Sequence, residues 1–266
     1  MPIANLDDLD IHYRIHGEGP PVLGIMGFSL DQRFWASQVP AVTKTHRFIT
    51  FDNRGTGRSS KGTASSVDEM ANDALRLLDH LEIDKTVVFG LSMGGAIAQR
   101  FVLDNPDRVS ALILGVTFSR PIEFMRRQHE IARLVINAAG PRGLLEASLV
   151  RMFTPRFFEM GRETIDRMIA AFFSENGPEA ASSEVLLAQL DALEKHDAIA
   201  ELPKIAVPTL VLGGKNDMMV PGFASEEIAA AVPGAELHMF ETGHGCMIEE
   251  LEGFNGAIST FLERIR

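Results

Sequence analysis

Residues 86–95 read Thr-Val-Val-Phe-Gly-Leu-Ser-Met-Gly-Gly and place Ser92 in a Gly-x-Ser-x-Gly pattern. The start of this stretch is an apolar run typical of a buried strand, and the residues that follow Ser92, 93–105, have the periodicity of a helix. A serine between a strand and a helix in this pattern predicts a nucleophile elbow, a turn so tight that neighbouring side chains would clash. Gly90 and Gly94 remove that clash, so the stretch predicts a serine hydroxyl raised above the edge of a sheet. A plain glycine turn is the alternative that the pattern alone leaves open.

Apolar runs of similar length recur along the chain and alternate with helical stretches. Residues 67–81 carry an apolar stripe at helical spacing, and Ser66 and Glu69 are arranged there as in a capping box. A second stripe in residues 251–262 predicts a C-terminal helix. Because continuous apolar runs suit strands buried on both faces, the sequence predicts an α/β fold with a mostly parallel central sheet flanked by helices. The predicted strands are 10–15, 21–26, 47–51, 86–89, 111–116, 207–212 and 236–240.

One long segment interrupts this alternation. From Phe118 to Glu184 no strand is evident, the composition is rich in Phe and Met, and the periodicity is helical, with breaks at Gly140-Pro141 and Gly177-Pro178. A single crossover rarely needs so many residues. We therefore expect a helical cap, residues 118–184, inserted into a core domain made of residues 1–117 and 185–266. Ordinary layer helices without a functional role are the alternative.

Composition and charge exclude several classes of protein. The 266 residues include 25 Lys and Arg against 36 Asp and Glu, a net charge of −11, which argues against binding nucleic acid or an anionic membrane. Cys246 is the only cysteine, so neither an intrachain disulfide nor a thiolate zinc cluster can form. The sequence has no metal-ligand spacing, no phosphate-binding glycine loop, no signal peptide and no apolar stretch of membrane-spanning length. We expect a cytoplasmic protein, monomeric or homodimeric, without metal or cofactor.

A serine nucleophile needs a histidine base, which should follow Ser92 in the chain. His129 and His196 lie among charged helical residues and are expected to be solvated, and His238 lies within a predicted strand. His244 instead follows the last strand, in a loop at the carboxyl end of the sheet where catalytic residues gather. His244 is therefore the predicted base.

The acid that orients this histidine should lie on the loop after the preceding strand. Residues 213–221 form that loop, and Asp217 is its only carboxylate, whereas residues 117–119, after the earlier strand, offer none. Asp217 is therefore the predicted acid, with a simple Asx turn as the alternative role. An oxyanion hole also needs two backbone N–H donors, and we expect them at Met93, directly after the nucleophile, and at Phe28, in the loop after strand 21–26.

With these motifs the chain resembles the α/β-hydrolase fold family over nearly its whole length. Residues 51–59, Phe-Asp-Asn-Arg-Gly-Thr-Gly-Arg-Ser, are similar to a turn of that family, in which Asp52 and Arg54 are expected to be structural anchors. Within this family the chain resembles a branch of small capped esterases and lactonases. That branch includes 3-oxoadipate enol-lactonase-like proteins, carboxylesterases and cofactor-free haloperoxidases or perhydrolases. Met26 stands where the family usually has His, and the oxyanion donor is expected to survive this change. Dehalogenases and epoxide hydrolases of this fold need Asp in place of Ser92, so the resemblance excludes them. Carbon–carbon bond hydrolases remain possible, although Leu91 stands where they usually have Asn.

The resemblance implies a serine hydrolase that cleaves a small-molecule carboxylic ester or lactone through an acyl-enzyme on Ser92, Asp217 and His244. Trp35, Leu91 and Met219 are expected to line an apolar substrate pocket. An enol-lactonase acting on a carboxylate would also need a cation in that pocket. A perhydrolase or a non-catalytic ligand-binding protein on the same fold are the other possibilities. The candidate cap cations are Arg126, Arg127, Arg133, Arg142, Arg151 and Arg156.

Overall fold

The predicted strands assemble into one sheet. The computed structural model describes residues 2–60, 62–173 and 180–266, and in these it has eight strands in the order β1-β2-β4-β3-β5-β6-β7-β8. The first two strands are antiparallel to their neighbours, and all later pairs are parallel, as the sequence predicts. The strands are β1 (Ile3–Asn5), β2 (Asp10–His16), β3 (Pro21–Ile25), β4 (Arg47–Phe51), β5 (Thr86–Leu91), β6 (Val109–Gly115), β7 (Thr209–Gly214) and β8 (Glu236–Phe240).

Helices cover both faces of the sheet, because the side chains of each central strand alternate between two apolar layers. Val88 of β5 packs with α2, α3 and α7, whereas Val87 and Phe89 point to the opposite layer beside α1 and α9. The helices of the described residues are α1 (Val39–Val42), α2 (Val67–His80), α3 (Met93–Asp104), α4 (Glu123–Met152), α5 (Pro155–Phe172), α6 (Ser183–Glu194), α7 (Phe223–Ala231), α8 (Cys246–Glu249) and α9 (Leu251–Arg264).

Helix α2 begins at the predicted cap. The Ser66 hydroxyl accepts a hydrogen bond from the Glu69 N–H at 3.2 Å, while the Glu69 carboxylate accepts from the Ser65 N–H at 2.7 Å. The reciprocal bond of the capping box therefore goes to the residue before the cap rather than to the cap itself. The Ser66 bond satisfies one of the N–H groups that the first turn of a helix leaves without partners, and the Glu69 bond fixes the residue that enters the helix.

The turn after β4 anchors the sheet to this helix. Asp52 accepts hydrogen bonds from the backbone N–H groups of Gln32 and Arg58, both at 2.9 Å, and Arg54 forms an ion pair with Asp73 of α2 at 2.5 Å. These contacts are structural, as expected of Asp52 and Arg54.

Between β6 and β7 the chain forms helices α4, α5 and α6, and no strand occurs in the described part of that segment. Helix α4 is broken at Gly140, whose φ of 64° and ψ of −165° are not helical, just before Pro141. The predicted break at 177–178 lies outside the described residues. Helices α4 and α6 share an apolar cluster, so the first turns of α6 pack on α4 and its last turn joins the main core. Across the described ranges, no helix is both long and apolar enough to span a membrane.

Candidate active site

Ser92 lies at the carboxyl end of β5, where the strand turns into α3. Its backbone has φ 54° and ψ −120°, a conformation that non-glycine residues rarely adopt and that costs about 1–3 kcal/mol. The Ser92 N–H donates to the Gly115 carbonyl at 2.9 Å, and the Thr117 hydroxyl donates to the Ser92 carbonyl at 2.7 Å. Neighbouring strand β6 thus holds the strained turn from both sides.

Two glycines make this turn possible. A Cβ added to Gly90 would lie 2.2 Å from the Gly94 carbonyl oxygen, and a Cβ added to Gly94 would lie 2.0 Å from the Ile25 oxygen. Both distances are far inside van der Waals contact with backbone atoms that cannot move away. The steric reason predicted for the two glycines is therefore confirmed.

Three polar side chains form a connected chain at this edge of the sheet. The Ser92 Oγ lies 3.0 Å from His244 Nε2, and His244 Nδ1 lies 2.6 Å from Asp217 Oδ2. Because a carboxylate can only accept, Nδ1 carries the proton and neutral His244 presents Nε2 as an acceptor to the serine hydroxyl. The arrangement gives the hydroxyl a base and gives the base a fixed orientation.

Asp217 is held by its own turn as well as by His244. Its Oδ1 accepts hydrogen bonds from the N–H groups of Met219 at 2.7 Å and Val220 at 2.8 Å, which leaves Oδ2 for the imidazole. Asp217 therefore makes the Asx turn that the sequence offered as an alternative and also contacts the histidine. Asp217 and His244 are each only 5% exposed, so solvent competes little for their hydrogen bond.

The two expected oxyanion donors flank the serine. Within the described ranges, neither the Phe28 nor the Met93 N–H donates a hydrogen bond to another residue. A Cβ added to Gly27 would lie 3.1 Å from the Leu91 oxygen and 3.2 Å from the Ser92 Cβ, so the loop that carries Phe28 runs directly against the nucleophile. Neither amide is engaged by another residue, so their assignment as oxyanion donors stays a prediction.

Side chains from two other elements hold the loop that carries Phe28. The Asn53 amide donates to the Met26 carbonyl, and the Gln189 carbonyl oxygen of α6 accepts from the Ser29 N–H, both at 3.0 Å. Met26 itself is buried in the apolar layer. The backbone of the loop is therefore fixed without the histidine that usually precedes Gly27 in this family.

An apolar cavity opens beside Ser92 and His244. Its volume is about 70 Å³, several times the ~10–15 Å³ that a single water needs. Leu91 and Met219 line it, as the sequence predicts. The remaining wall combines core residues with helix residues from the inserted segment: Met26, Gly27, Phe28, Leu30, Phe34, Met152, Met168, Met247 and Ile248.

Trp35 does not line this cavity, so its predicted role as a pocket residue is wrong. Its ring is fully buried, with its centroid 4.6 Å from that of Phe89 and 5.2 Å from that of Phe48. The preceding residue, Phe34, faces the cavity instead, because both lie on a 3-10 turn whose successive side chains point in different directions. Sequence reasoning also missed Met152 and Met168, although the Phe- and Met-rich composition of their segment was the available signal.

Neither of two other histidines is solvated as predicted: His196 is buried and His129 is partly buried. His129 faces α6 and contacts the Glu194 carboxylate. His196 is 6% exposed, lies edge-on to Phe118 with ring centroids 6.1 Å apart, and burial lowers its pKa to about 4. Arg127 and Glu130 on α4, and Lys195 and Asp197 beside His196, are exposed, whereas the two histidines point toward the protein interior.

Glu249 connects the histidine loop to the start of α5. One carboxylate oxygen accepts from the N–H groups of Gly243 at 3.2 Å and Thr154 at 3.0 Å, and the other accepts from the Thr154 hydroxyl at 2.7 Å. On the other side of His244, the Gly245 N–H donates to the Met152 carbonyl at 2.8 Å. The loop that carries His244 is thus fixed on both sides to the end of α4 and the start of α5.

Cys246 lies near the histidine but outside the cavity wall. Its side chain is fully buried among apolar residues, and burial raises the pKa of the thiol. Cys246 is therefore a packing residue. In the part of the chain that the structure describes, no group of three or more His, Cys, Asp or Glu side chains could hold a metal ion.

Comparison with known proteins gives a consistent result. The RutD protein of Azorhizobium caulinodans, which bears the name of a carbamate hydrolase, is 31% identical over 248 residues, 91% of each chain. The enol-lactonase of Burkholderia xenovorans LB400 superposes with a TM-score of 0.89 at 27% identity, covering 98% of this chain and 100% of that one. A thermophilic esterase from Thermogutta terrifontis, solved with malate bound, superposes with a TM-score of 0.85 at 29% identity over 97% and 94%. The model of the alpha/beta hydrolase fold family matches residues 20–251, and the chain belongs to that family.

Proposed function

We propose that this protein is a serine hydrolase that cleaves small-molecule carboxylic esters or lactones through an acyl-enzyme. The observation that carries the proposal is the chain of contacts from Ser92 Oγ to His244 Nε2, 3.0 Å, and from His244 Nδ1 to Asp217 Oδ2, 2.6 Å. Ser92 and His244 face a cavity whose wall is mostly apolar, and such a wall suits the uncharged part of an ester.

The proposed reaction follows from these positions. His244 Nε2 takes the Ser92 proton as Oγ attacks the carbonyl carbon, and the N–H groups of Phe28 and Met93 bind the oxyanion. His244 then gives the proton to the leaving alcohol, and the acyl group remains on Ser92. Water then attacks the acyl carbon as it loses a proton to His244, and His244 returns that proton to Ser92 Oγ as the acid leaves. Asp217 keeps the imidazole in one tautomer and stabilises its charged form throughout.

We also propose that residues 118–184 act as a cap over this site. Met152, at the end of α4, and Met168, in α5, supply part of the cavity wall, and Glu249 ties the start of α5 to the histidine loop. Methionine side chains adapt to ligands of different shape, so this wall favours a range of acyl groups.

Cleavage of carbamates is a second candidate, because the RutD relative bears the name of a carbamate hydrolase. A carbamate carbonyl would occupy the same position against Ser92, and the same oxyanion donors would bind it. The nitrogen of a carbamate needs a polar environment whether it leaves or stays on the acyl group. Most of the cavity wall is apolar. We therefore rank esters and lactones first.

The test measures initial rates on p-nitrophenyl esters from acetate to laurate, on simple lactones and on aryl carbamates. Ser92→Ala should remove turnover, whereas Ser110→Ala, which changes an exposed serine on β6, should leave it intact. A fluorophosphonate probe should label the wild-type protein on Ser92 and should not label the Ser92→Ala variant. Retention of most activity in Ser92→Ala would refute the mechanism, and saturable ligand binding without turnover would favour a non-catalytic binding protein.

A further inference from the structure

A second cavity reaches Ser92 from the side of α4 and α6. Its volume is about 60 Å³, and its wall, unlike that of the first cavity, contains the polar side chains of Gln128, His129, Ser148 and Arg151. Ser92 lines both cavities. A molecule whose scissile carbonyl lies at Ser92 can therefore extend one way into an apolar space and the other way toward Arg151.

Arg151 is the one candidate cap arginine that lines this cavity, and it has no carboxylate partner among residues 2–60, 62–173 and 180–266. Its guanidinium is half-buried, and its one hydrogen bond in those residues goes to the neutral Gln128 carbonyl oxygen at 2.6 Å. By contrast, four of the others are paired with acidic residues: Arg126 with Glu194, Arg127 with Glu123 and Glu130, Arg133 with Asp191, and Arg142 with Glu146. Arg156 lines a surface groove that does not reach Ser92.

The described wall of this cavity contains no acidic side chain. Glu194, which contacts the lining residue His129, is itself paired with Arg126. Burial without a counterion lowers the pKa of Arg151, which is the direction expected for a cation that lacks a partner. A half-buried guanidinium of this kind is stabilised by an anion that enters from outside.

Gln128 fixes the direction of the arginine. Its side-chain N–H group donates to the Met219 carbonyl at 3.1 Å, so the amide oxygen is turned toward Arg151. Met219 belongs to the turn that Asp217 forms, which places Gln128 between the acid loop and the guanidinium. The remaining N–H donors of Arg151 keep the fork geometry that binds a carboxylate through two parallel hydrogen bonds.

We propose that the substrate of this protein is an ester or lactone that carries a carboxylate, and that Arg151 binds this carboxylate in the cavity between α4 and α6. The inference rests on the proposed function, since it places the scissile carbonyl at Ser92. The apolar part of the same substrate occupies the cavity lined by Leu91 and Met168. Arg151 is then the residue that selects anionic over neutral esters.

The test compares neutral p-nitrophenyl pentanoate with two anionic esters, p-nitrophenyl glutarate hemiester and 4-carboxyphenyl pentanoate. Wild-type protein should prefer at least one anionic ester in kcat/KM, and the preferred ester tells which end of the substrate meets Arg151. Arg151→Met should lower kcat/KM for that ester about 10- to 100-fold, the loss expected for a charge-assisted hydrogen-bonded pair. Hydrolysis of the neutral pentanoate should stay within about threefold.

Two controls separate recognition from folding. Arg151→Lys keeps the charge and should recover part of the preference, and Arg127→Met removes a surface arginine of the same helix and should change neither rate. Equal losses on neutral and anionic esters in Arg151→Met, or no loss on the anionic ones, would overturn the inference.

Direct binding keeps the test independent of the proposed reaction. Calorimetry with glutarate should detect binding to wild-type protein and to Ser92→Ala, weakened about tenfold or more in Arg151→Met. If no ester is hydrolysed, the proposed function fails, and Arg151-dependent glutarate binding would still support the anion site. If glutarate does not bind, or binds equally to Arg151→Met, the anion site is refuted even when neutral esters are hydrolysed through Ser92.

Discussion

Lowering the pH from about 7 to about 5 should destabilise the folded protein through His196. This side chain is 6% exposed, its Nε2 has no hydrogen-bond partner in the described residues, and Arg100 lies near enough to disfavour its charged form. Burial lowers its pKa from 6.5 to about 4, and the nearby Asp68 and Asp197 only partly oppose this. The folded state therefore keeps His196 neutral at pH values where the unfolded chain binds a proton.

The size and sign of the effect follow from the two pKa values. Above pH 6.5 both states are neutral at this position, and the full stability is present. As the pH falls from 6.5 toward 4 the unfolded state gains the proton first, so stability is lost. At about 1.4 kcal/mol per pKa unit, the loss between pH 7 and pH 5 is about 2 kcal/mol, and it reaches about 3 kcal/mol by pH 4.

Urea denaturation of the wild type and of His196→Leu, at both pH values, isolates this contribution. Leucine fills a similar volume beside Phe118 and cannot bind a proton, so the variant should lose about 2 kcal/mol less than the wild type on acidification. His80→Gln, which changes an exposed histidine, should keep the wild-type pH dependence. The comparison is needed because burial also lowers the pKa of other histidines, namely His16, His46 and His129. Equal pH dependence in the wild type and His196→Leu would refute the reasoning.

Three further predictions concern the site itself. Asp217→Asn should lower kcat about 10⁴-fold in steady-state ester hydrolysis, because an amide favours the wrong tautomer of His244, and near-normal turnover would contradict this role. Glu249→Ala should reduce the free energy of unfolding by about 1–3 kcal/mol, because Thr154 loses its acceptor. Glu249→Gln keeps an acceptor oxygen and should reduce it by less than about 1 kcal/mol. Equal losses for the two variants in urea titrations would disprove the contact. Cys246 should react with Ellman's reagent only in denaturant, and rapid reaction of the native protein would contradict its burial.

Much of the architecture was predictable because the signals are local. The elbow depends on the sizes of Gly90 and Gly94, which the sequence states directly, and the strands are short apolar runs bounded by turns. Strand β7 begins at Thr209 rather than at Val207, because Pro208 has no N–H to donate to the sheet, and it continues through Gly214. Strand β1, of three residues, is too short to give a pattern.

The cavity wall was less predictable because it depends on which way neighbouring side chains point. Phe34 and Trp35 are adjacent and both aromatic, yet one faces the cavity and the other the core. The contribution of Met168 depends on how α5 packs, and that packing is set by contacts distant in sequence. Arg151 was one of six candidate arginines, and only the three-dimensional packing shows that it, unlike the other five, lines a cavity shared with Ser92.

The apolar cavity has a consequence for the end of the reaction. An ester group held against Met26, Leu30 and Met247 is neutral, whereas hydrolysis leaves a new carboxylate beside the same side chains. An unpaired anion in apolar surroundings is destabilised by several kcal/mol, so the product is bound much more weakly than the substrate was. In the proposed reaction, hydrolysis therefore favours release of the new acid from the apolar cavity.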